Sequence, residues 1–362
     1  MYPDDFLNKK INERKENQSF RKLRLPQGKI DFCSNDYLGI VANEKLSTGT
    51  VVLRTGSTGS RLLAGNYQMI EAVEKQIALF HQAETALLFN SGYDANIGLL
   101  SSVPQKGDTI LYDYLSHASI RDGIRLSFAT SFSFAHNDMD DLQKKMLHAT
   151  GTVFIVTESV FSMDGDTCPL PELVAIAQEH NAHLVIDEAH ATGVVGGRGE
   201  GLVQQLQMQQ HVFARVHTFG KACGCHGAVV LGSDSLRNYL VNFARSFVYS
   251  TSLPEHSVAL IRSSYEVFPE MRAERAHLRQ LIETFQSAAI AFEKLPSHTP
   301  IQVVVVPGNE TVKELAGRLQ KQNMDVRAIL YPTVPKGKER LRIVLHSFNT
   351  FEEVKNLINH LN

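Results

Sequence analysis

The segment between residues 152 and 187 constrains the fold of this chain more than any other. It reads TVFIVT (152–157), then the amphipathic run PLPELVAIAQEH (169–180), then AHLVID (182–187). Two short runs rich in Val and Ile on either side of a helical pattern indicate a βαβ crossover, which joins parallel strands. The sequence therefore predicts an α/β fold with a mostly parallel central sheet.

Further apolar runs extend this sheet and then give way to a second pattern. ALLFNSG, DTILYDY, ARVHTFG and GAVVLGS have the continuous apolar content that is typical of strands covered on both faces. Beyond about residue 260, the runs IQVVVV, ETVKELAGRLQKQ, VRAILYP, RLRIVLH and FEEVKNLINHL predict a small α+β lobe. We expect an amino-terminal arm over residues 1–40, a large domain over 41–259 and a small carboxy-terminal domain over 260–362.

The net charge limits the classes of binding partner, and the cysteine content indicates the cellular compartment. A formal net charge of -2 over 362 residues gives no electrostatic reason to expect nucleic acid or an anionic membrane. We therefore expect small-molecule substrates. The cysteines are too few for a disulfide framework and lack the spacing of paired zinc ligands; they are Cys33, Cys168, Cys223 and Cys225. The chain starts without a basic segment leading into an apolar one, so we expect a cytoplasmic protein without a secretory signal.

Asp187 and Lys221 are the first candidates for chemistry. Asp187 ends the predicted strand AHLVID, and Lys221 follows ARVHT within TFGKACG. Ligands of open α/β sheets bind at the carboxyl ends of the strands, so both side chains are expected to face one site. A lysine desolvated in a glycine-lined interior becomes a nucleophile toward an aldehyde. Taken singly, the residues leave a surface lysine and a helix-capping aspartate open as alternatives.

Two other stretches favour a bound phosphate and a planar ring. ALLFNSGYDANIG runs from a strand into a helix through Gly92 and Tyr93, whose N–H groups suit a phosphate. His117, in SHAS, follows another strand, where an imidazole can stack on a ring or simply be a hydrogen-bonded loop residue. No G-x-x-x-x-G-K-[ST] motif occurs, so the sequence does not support nucleoside triphosphate binding. For the same reason, the letters DEAH (187–190) do not indicate a helicase. We expect no metal site at His183, Asp187 and His190, because no other ligand set is evident.

Together these motifs resemble one family over nearly the whole chain. SNDYLG, GSTGSRLLAGN, SGYDAN, SHAS, ESVFSMDGD, IDEAHATGVVG, TFGKACG, YSTSLP and PTVPKGKERLRI occur in the order found in the α-oxoamine synthases. The resemblance implies a fold-type-I enzyme dependent on pyridoxal phosphate (PLP). It also implies a homodimer with active sites at the subunit interface, and a reaction that joins an amino acid to an acyl thioester with loss of carbon dioxide.

The resemblance also implies roles for particular residues. Lys221 would form the Schiff base, Asp187 would pair with the pyridinium nitrogen, His190 would donate to the phenolic oxygen, and His117 would stack on the ring and contact substrate. The other cofactor contacts would be Gly92, Tyr93, Ser162, Thr218, Ser250 and Thr251, of which Ser250 or Thr251 would reach the partner subunit's phosphate. Substrate would be bound by Arg21, Asn35, Thr333 and Arg342, where the planar fork of Arg342 suits a carboxylate.

Fewer motifs bear on which substrate, among those used within the family, this chain would take. TFGKA followed by HGA, and PTVPKGKERLRI, favour a member that condenses L-alanine with a pimeloyl thioester, carried by coenzyme A or acyl carrier protein. Relatives that use glycine or serine share the same cofactor machinery, and an aminotransferase or a Cα–Cβ lyase would need Lys221 and Asp187 as well. A cofactor-free scaffold is disfavoured because each cofactor position holds a competent residue.

Overall fold

The structure, a computed structural model, describes residues 5–23, 28–49 and 53–362. Its helices are α1 (Asn8–Glu16), α2 (Gln68–Phe80), α3 (Gly92–Ser102), α4 (Ala118–Leu126), α5 (Met139–Met146), α6 (Leu170–Glu179), α7 (Leu202–Gln205), α8 (Asp234–Phe243), α9 (Arg245–Val248), α10 (Glu255–Val267), α11 (Arg272–Ser287), α12 (Asn309–Lys321) and α13 (Phe351–His360). Its strands are β1 (Ile30–Asp31), β2 (Thr85–Phe89), β3 (Thr109–Asp113), β4 (Thr130–Phe134), β5 (Val153–Glu158), β6 (His183–Asp187), β7 (Ala214–Thr218), β8 (Ala228–Gly232), β9 (Glu293–Lys294), β10 (Ile301–Val305), β11 (Met324–Asp325), β12 (Arg327–Ile329) and β13 (Arg340–Val344).

The chain forms two compact units that are not continuous in sequence. The larger unit consists of residues 35–162 and 167–275. The smaller unit combines the described residues up to Ser34 with residues 163–166 and 276–362. The domains expected from the sequence are continuous ranges that meet at residues 40/41 and 259/260, and these boundaries stay a prediction.

The larger unit is built around a seven-stranded sheet in the order β2-β8-β7-β6-β5-β3-β4. The pairs β3/β4, β3/β5, β5/β6 and β6/β7 are parallel, and β8 is antiparallel to both its neighbours. This confirms the predicted α/β fold with a mostly parallel sheet. The βαβ crossover is β5-α6-β6, close to the bounds expected from the sequence.

Both faces of this sheet are covered, as its apolar strands require. Along β6, Leu184 and Ile186 belong to one buried apolar cluster and Val185 belongs to another. Successive side chains of a strand point to opposite faces, so β6 contributes to a core on each side of the sheet. The hydrophobic effect thus places β6 in the interior and leaves the polar chemistry to its end, at Asp187.

Strand β4 was not expected from the sequence. It reads TSFSF and pairs only with β3, at the edge of the sheet. An edge strand with one solvated face alternates polar and apolar residues, so it lacks the continuous apolar run of its neighbours.

The smaller unit contains a four-stranded antiparallel sheet in the order β12-β13-β10-β9. Helices α12 and α13 complete the predicted α+β pattern, and α13 begins at a capping box in which Thr350 and Glu353 exchange hydrogen bonds. Near the amino terminus, β1 pairs in parallel with β11, through Ile30 with Met324. In the part of the chain that the structure describes, no helix is both long enough and apolar enough to cross a membrane.

Candidate active site

A cavity of about 230 Å³ opens at the carboxyl ends of the strands of the larger unit. All of its lining comes from that unit. The lining residues are Asn35, Ser91, Gly92, Tyr93, Asn96, His117, Ser119, Glu158, Asp187, Ala189, His190, Thr218, Gly220, Lys221, His226 and Gly227. The structure therefore brings together Lys221, Asp187, His117 and His190, which the sequence placed on three separate motifs.

Lys221 lies in the loop that joins β7 to β8. Its Nζ donates to Oγ1 of Thr218, the last residue of β7, over 3.2 Å. The loop closes on itself, because the N–H of Gly224 donates to the carbonyl of Lys221 over 2.9 Å. Gly224 has φ +63° and lies where an added Cβ would come within 2.4 Å of Ile40 Cγ2, so this turn requires glycine. The turn fixes the lysine at the cavity wall.

Asp187 ends β6 as a buried carboxylate with only 5% of its surface exposed. Its Oδ1 accepts the N–H of Ala189 over 2.9 Å, and its Oδ2 accepts Nδ2–H of Asn96 over 2.7 Å. A carboxylate held by a donor on each oxygen keeps a fixed orientation and remains an acceptor toward any group that enters the cavity.

His117 is the N-cap of α4, and its ring is tied back to that helix. Its Nδ1 accepts the backbone N–H of Ser119 over 3.2 Å and lies 2.8 Å from Oγ of Ser119. Burial lowers the pKa of His117, and the nearby Lys221 lowers it further, whereas Asp187 acts in the opposite direction. The imidazole is therefore neutral at physiological pH and presents a planar ring to the cavity.

His190 and Asn35 are linked through a tyrosine that the sequence analysis did not single out. The Tyr37 hydroxyl lies 2.6 Å from Nδ1 of His190 and donates to Oδ1 of Asn35 over 3.0 Å. Tyr37 is fully buried, so it holds both side chains at the cavity wall.

The turn into α3 has the close packing expected of a phosphate-binding turn. A Cβ at Gly92 would lie 2.4 Å from Cγ2 of Thr218, so only glycine fits beside the end of β7. Ser91 caps the helix by accepting the N–H of Asp94 over 3.0 Å. The hydroxyl of Tyr93 donates to the carboxylate of Asp122.

Three buried polar residues of the cavity escaped the sequence analysis: Asn96, Ser119 and Glu158. Glu158 ends β5, is 2% exposed, and its Oε1 accepts the backbone N–H of His117 over 2.6 Å. Burial raises its pKa well above the ordinary value, and the carboxylate of Asp187 raises it further. Its place at the end of a predicted parallel strand was an available signal. Asn96 and Ser119 lie within SGYDAN and SHAS, from which only Gly92, Tyr93 and His117 were taken as site residues.

The remaining predicted cofactor residues do not line this cavity. Ser250 and Thr251 line a smaller one of about 20 Å³, together with Arg61 and Asn90. Asn90 Nδ2 donates to the carbonyl of Thr251 over 2.9 Å. Ser162 is part of the larger unit but is absent from both linings.

Three of the predicted substrate residues belong to the smaller unit. Nη2 of Arg21 donates to Oγ1 of Thr333 over 3.2 Å, so these two are brought together across the length of the chain. Arg342 lies on β13 opposite Val303 of β10 and is buried. Their substrate contacts stay a prediction.

Comparison with known proteins identifies the family. Residues 27–361 match the model of the aminotransferase class I and II family, and the chain belongs to that family. It is 41% identical to the 8-amino-7-oxononanoate synthase of Emericella nidulans, and the alignment covers 98% of this chain and 94% of that protein.

Solved structures agree with this assignment. The 8-amino-7-oxononanoate synthase of Francisella tularensis superposes with a TM-score of 0.76 at 29% identity, covering 92% of this chain and 96% of that one. A serine palmitoyltransferase solved with PLP gives a TM-score of 0.89 at 25% identity, covering 99% and 98%. The predicted fold-type-I class and the resemblance to α-oxoamine synthases are confirmed.

Proposed function

We propose that this protein is a PLP-dependent acyltransferase that condenses L-alanine with a pimeloyl thioester, with loss of carbon dioxide, to give 8-amino-7-oxononanoate in biotin biosynthesis. The observation that carries the proposal is one cavity lined by Lys221, Asp187, His117 and His190. The relatives that bear the name of this activity align over nearly the full chain.

The donor set of the cavity fits PLP. It offers an amine that can form an imine with an aldehyde, a buried carboxylate for a protonated ring nitrogen, and a neutral imidazole with a flat face. When bound, PLP supplies an electron sink that stabilises negative charge at the substrate Cα. Gly92 and Tyr93 would lie at its phosphate, Ser162 and Thr218 would hydrogen-bond the cofactor, and Ser250 or Thr251 would reach the phosphate of the other subunit.

Each side chain has a defined task in this proposal. Lys221 holds the cofactor and, once released, removes the Cα proton at its Nζ and returns it. Asp187 keeps the ring nitrogen protonated, because a nearby negative charge favours the positively charged form of that nitrogen. His117 packs on the ring face, and His190 donates to the phenolic oxygen.

Substrate recognition is assigned to arginine and polar side chains. Arg342 holds the amino-acid carboxylate through its bidentate fork, with Asn35 assisting. Arg21 and Thr333 are assigned to the acyl substrate, and their mutual hydrogen bond supports a shared task.

We further propose a cytoplasmic homodimer. All four cysteines are free thiols, which suits a reducing compartment. Several large apolar side chains of the larger unit are exposed, Leu63 at 85% and Phe128 at 83%, which suits coverage by a second copy.

A serine- or glycine-using α-oxoamine synthase is the second candidate, favoured by the superposition on serine palmitoyltransferase. One experiment separates the two. Purified protein with PLP is given L-alanine, glycine or L-serine, each with pimeloyl-CoA, palmitoyl-CoA or acetyl-CoA, and thiol release and product mass are followed. We expect release with L-alanine and pimeloyl-CoA; preference for another pair would overturn the substrate assignment, and the absence of any thiol release would overturn the reaction class.

A further inference from the structure

Asn96 connects two hydrogen-bonded groups of the cavity, although it has no part in the function proposed above. It lies on α3 and is 2% exposed. Its Nδ2 donates one hydrogen to Oδ2 of Asp187 over 2.7 Å and the other to Oγ of Ser119 over 3.0 Å. Both amide hydrogens are therefore used, each toward a different partner.

The orientation of this amide is fixed by its partners. If the amide were flipped, Oδ1 of Asn96 would face the carboxylate of Asp187, and two acceptors would meet in a buried space with no hydrogen between them. The amide nitrogen must therefore face Asp187, and the same nitrogen faces Ser119.

The direction of the next hydrogen bond follows from this one. Oγ of Ser119 accepts from Asn96, so its own hydrogen is available to Nδ1 of His117, 2.8 Å away. That nitrogen also accepts the N–H of Ser119. Nδ1 of the neutral His117 is thus an acceptor, and its proton lies on Nε2.

Close packing of α3 against α4 makes this chain of bonds possible. A Cβ at Gly123 of α4 would lie 2.9 Å from the carbonyl oxygen of Asn96 and 3.0 Å from Cβ of Leu100. A glycine at this crossing lets the two helices approach closely enough for Asn96 to reach Ser119, which is itself 1% exposed.

We propose that Asn96 and Ser119 form a positioning pair, which keeps Asp187 an acceptor for the cofactor ring nitrogen and at the same time fixes the proton of His117 on Nε2. This inference rests on the proposed function. As a consequence, His117 and Lys221 have different roles in proton transfer. The basic nitrogen of His117 is occupied by Ser119, so His117 offers the substrate a donor and not a base, which leaves Lys221 as the proposed base for the Cα proton.

The test combines an isosteric substitution with a matched control. Asn96→Asp replaces a double donor by an acceptor facing Asp187. Asn238→Asp makes the same change on α8, where an exposed Asn238 donates to Asp234 over 2.8 Å. For Asn96→Asp we expect PLP affinity at least about 10-fold lower and loss of ring-nitrogen protonation, read by the ¹⁵N shift of labelled PLP. Asn238→Asp should match the wild type. Equal PLP affinity and ¹⁵N shift in the two variants would overturn the proposal.

The second arm reads His117 directly. Histidine side chains labelled with ¹⁵N are observed by NMR in the holoenzyme and without added PLP, and His117 is assigned with His117→Gln. We expect protonated Nε2 and unprotonated Nδ1 in the wild type. Ser119→Ala should shift the Nδ1 resonance, because it removes the hydroxyl that donates to that nitrogen. Protonated Nδ1 in the wild type, or an Nδ1 resonance unmoved in Ser119→Ala, would overturn the pair.

Failure of the proposed function would look different. A wild type that binds no PLP would overturn the cofactor assignment, whereas the His117 tautomer, measured without PLP, would still decide whether Asn96 and Ser119 set it. If Asn96→Asp lowers the folded fraction, PLP affinity is compared per folded protein by circular dichroism, and Ser119→Ala supplies the independent result.

Discussion

Thr218 and His217 are consecutive residues of β7, yet their side chains face two different clusters of polar residues. Thr218 faces the cavity cluster, which we define as Asn96, His117, Glu158, Asp187 and Lys221. His217 faces the interior cluster, which we define as His81, Thr192, Arg215, His217 and Tyr265. Neighbours on a strand point to opposite faces of the sheet, so one strand serves both clusters.

The interior cluster also contains titratable groups, and all of its members are buried. Nδ1 of His217 lies 2.9 Å from Oγ1 of Thr192, and Nε2 of His81 lies 3.0 Å from the hydroxyl of Tyr265. Burial lowers the pKa of both histidines well below the ordinary value. No member of the interior cluster lines the 230 Å³ cavity. Buried groups with a shifted pKa therefore occur in both clusters, Glu158 in one and His81 and His217 in the other, and access to the cavity is what distinguishes the catalytic cluster from the structural one.

The largest effect that would sharpen this comparison is expected at Lys221. In Lys221→Ala the cavity cluster loses its nucleophile and base, and thiol release should fall at least about 1000-fold. The exposed Lys106→Ala serves as the control and should keep wild-type activity. Substantial thiol release by Lys221→Ala would break the comparison, since the cavity cluster would then lack its catalytic member.

A smaller effect is expected for Asp187→Asn. An amide at position 187 would direct an N–H group at a donor, either that of Ala189 or that of Asn96. A hydrogen bond to a charged group is worth about 1.5–3 kcal/mol, so PLP affinity should fall about 10- to 100-fold. Titration of the apoprotein with PLP measures this, and unchanged affinity would remove Asp187 from the site.

His217→Leu tests the interior cluster, where the effect should be on stability. Thr192 would lose a buried hydrogen-bond partner, at a cost of about 1–3 kcal/mol in the free energy of unfolding. Activity per folded protein should stay within about 3-fold. Urea denaturation and thiol release are compared with those of His211→Leu, at an exposed position. A large loss of turnover at normal stability would show that the interior cluster is catalytic.

The same cluster predicts how stability depends on pH. His81 and His217 stay neutral in the folded protein, but in the unfolded chain they bind protons below about pH 6.5. Their contribution is therefore complete above about pH 6.5 and is lost as the pH falls toward their lowered folded pKa values. Each should add up to about 1.4 kcal/mol per pH unit to the slope between pH 6 and pH 5. His217→Leu should reduce this slope by the contribution of one histidine. An unchanged slope would show that His217 does not stay neutral in the folded protein.

The smallest effect is expected for Glu158→Gln. Burial raises the pKa of Glu158 well above its ordinary value and so favours the neutral carboxyl group, of which glutamine is the isostere. Its side-chain oxygen can still accept the N–H of His117, so activity should stay within about 3-fold of the wild type. Glu158→Leu, which removes that acceptor, is the contrast. If Glu158→Gln were as inactive as Glu158→Leu, the ionised form of Glu158 would be the working one.

The sequence predicted those site residues that lie at the ends of apolar strands or within family motifs. Lys221 and Asp187 combine both signals, and the structure places them on one cavity. Asn96 and Ser119 end two of these motifs, SGYDAN and SHAS, but were missed, because they meet Asp187 and His117 only where α3 packs closely on α4. Strand pairing depends on local pattern, whereas a contact between two helices depends on packing that no single segment encodes.

The smaller unit combines segments that are far apart in sequence, and this affects the order in which its strands can pair during synthesis. Ile30 and Asp31 of β1 pair with Met324 and Asp325 of β11, so β1 leaves the ribosome long before the strand with which it pairs. At about 5–20 residues per second, that partner emerges on the order of tens of seconds later. The larger unit can complete its sheet during this interval, and β1 stays without this partner until β11 emerges.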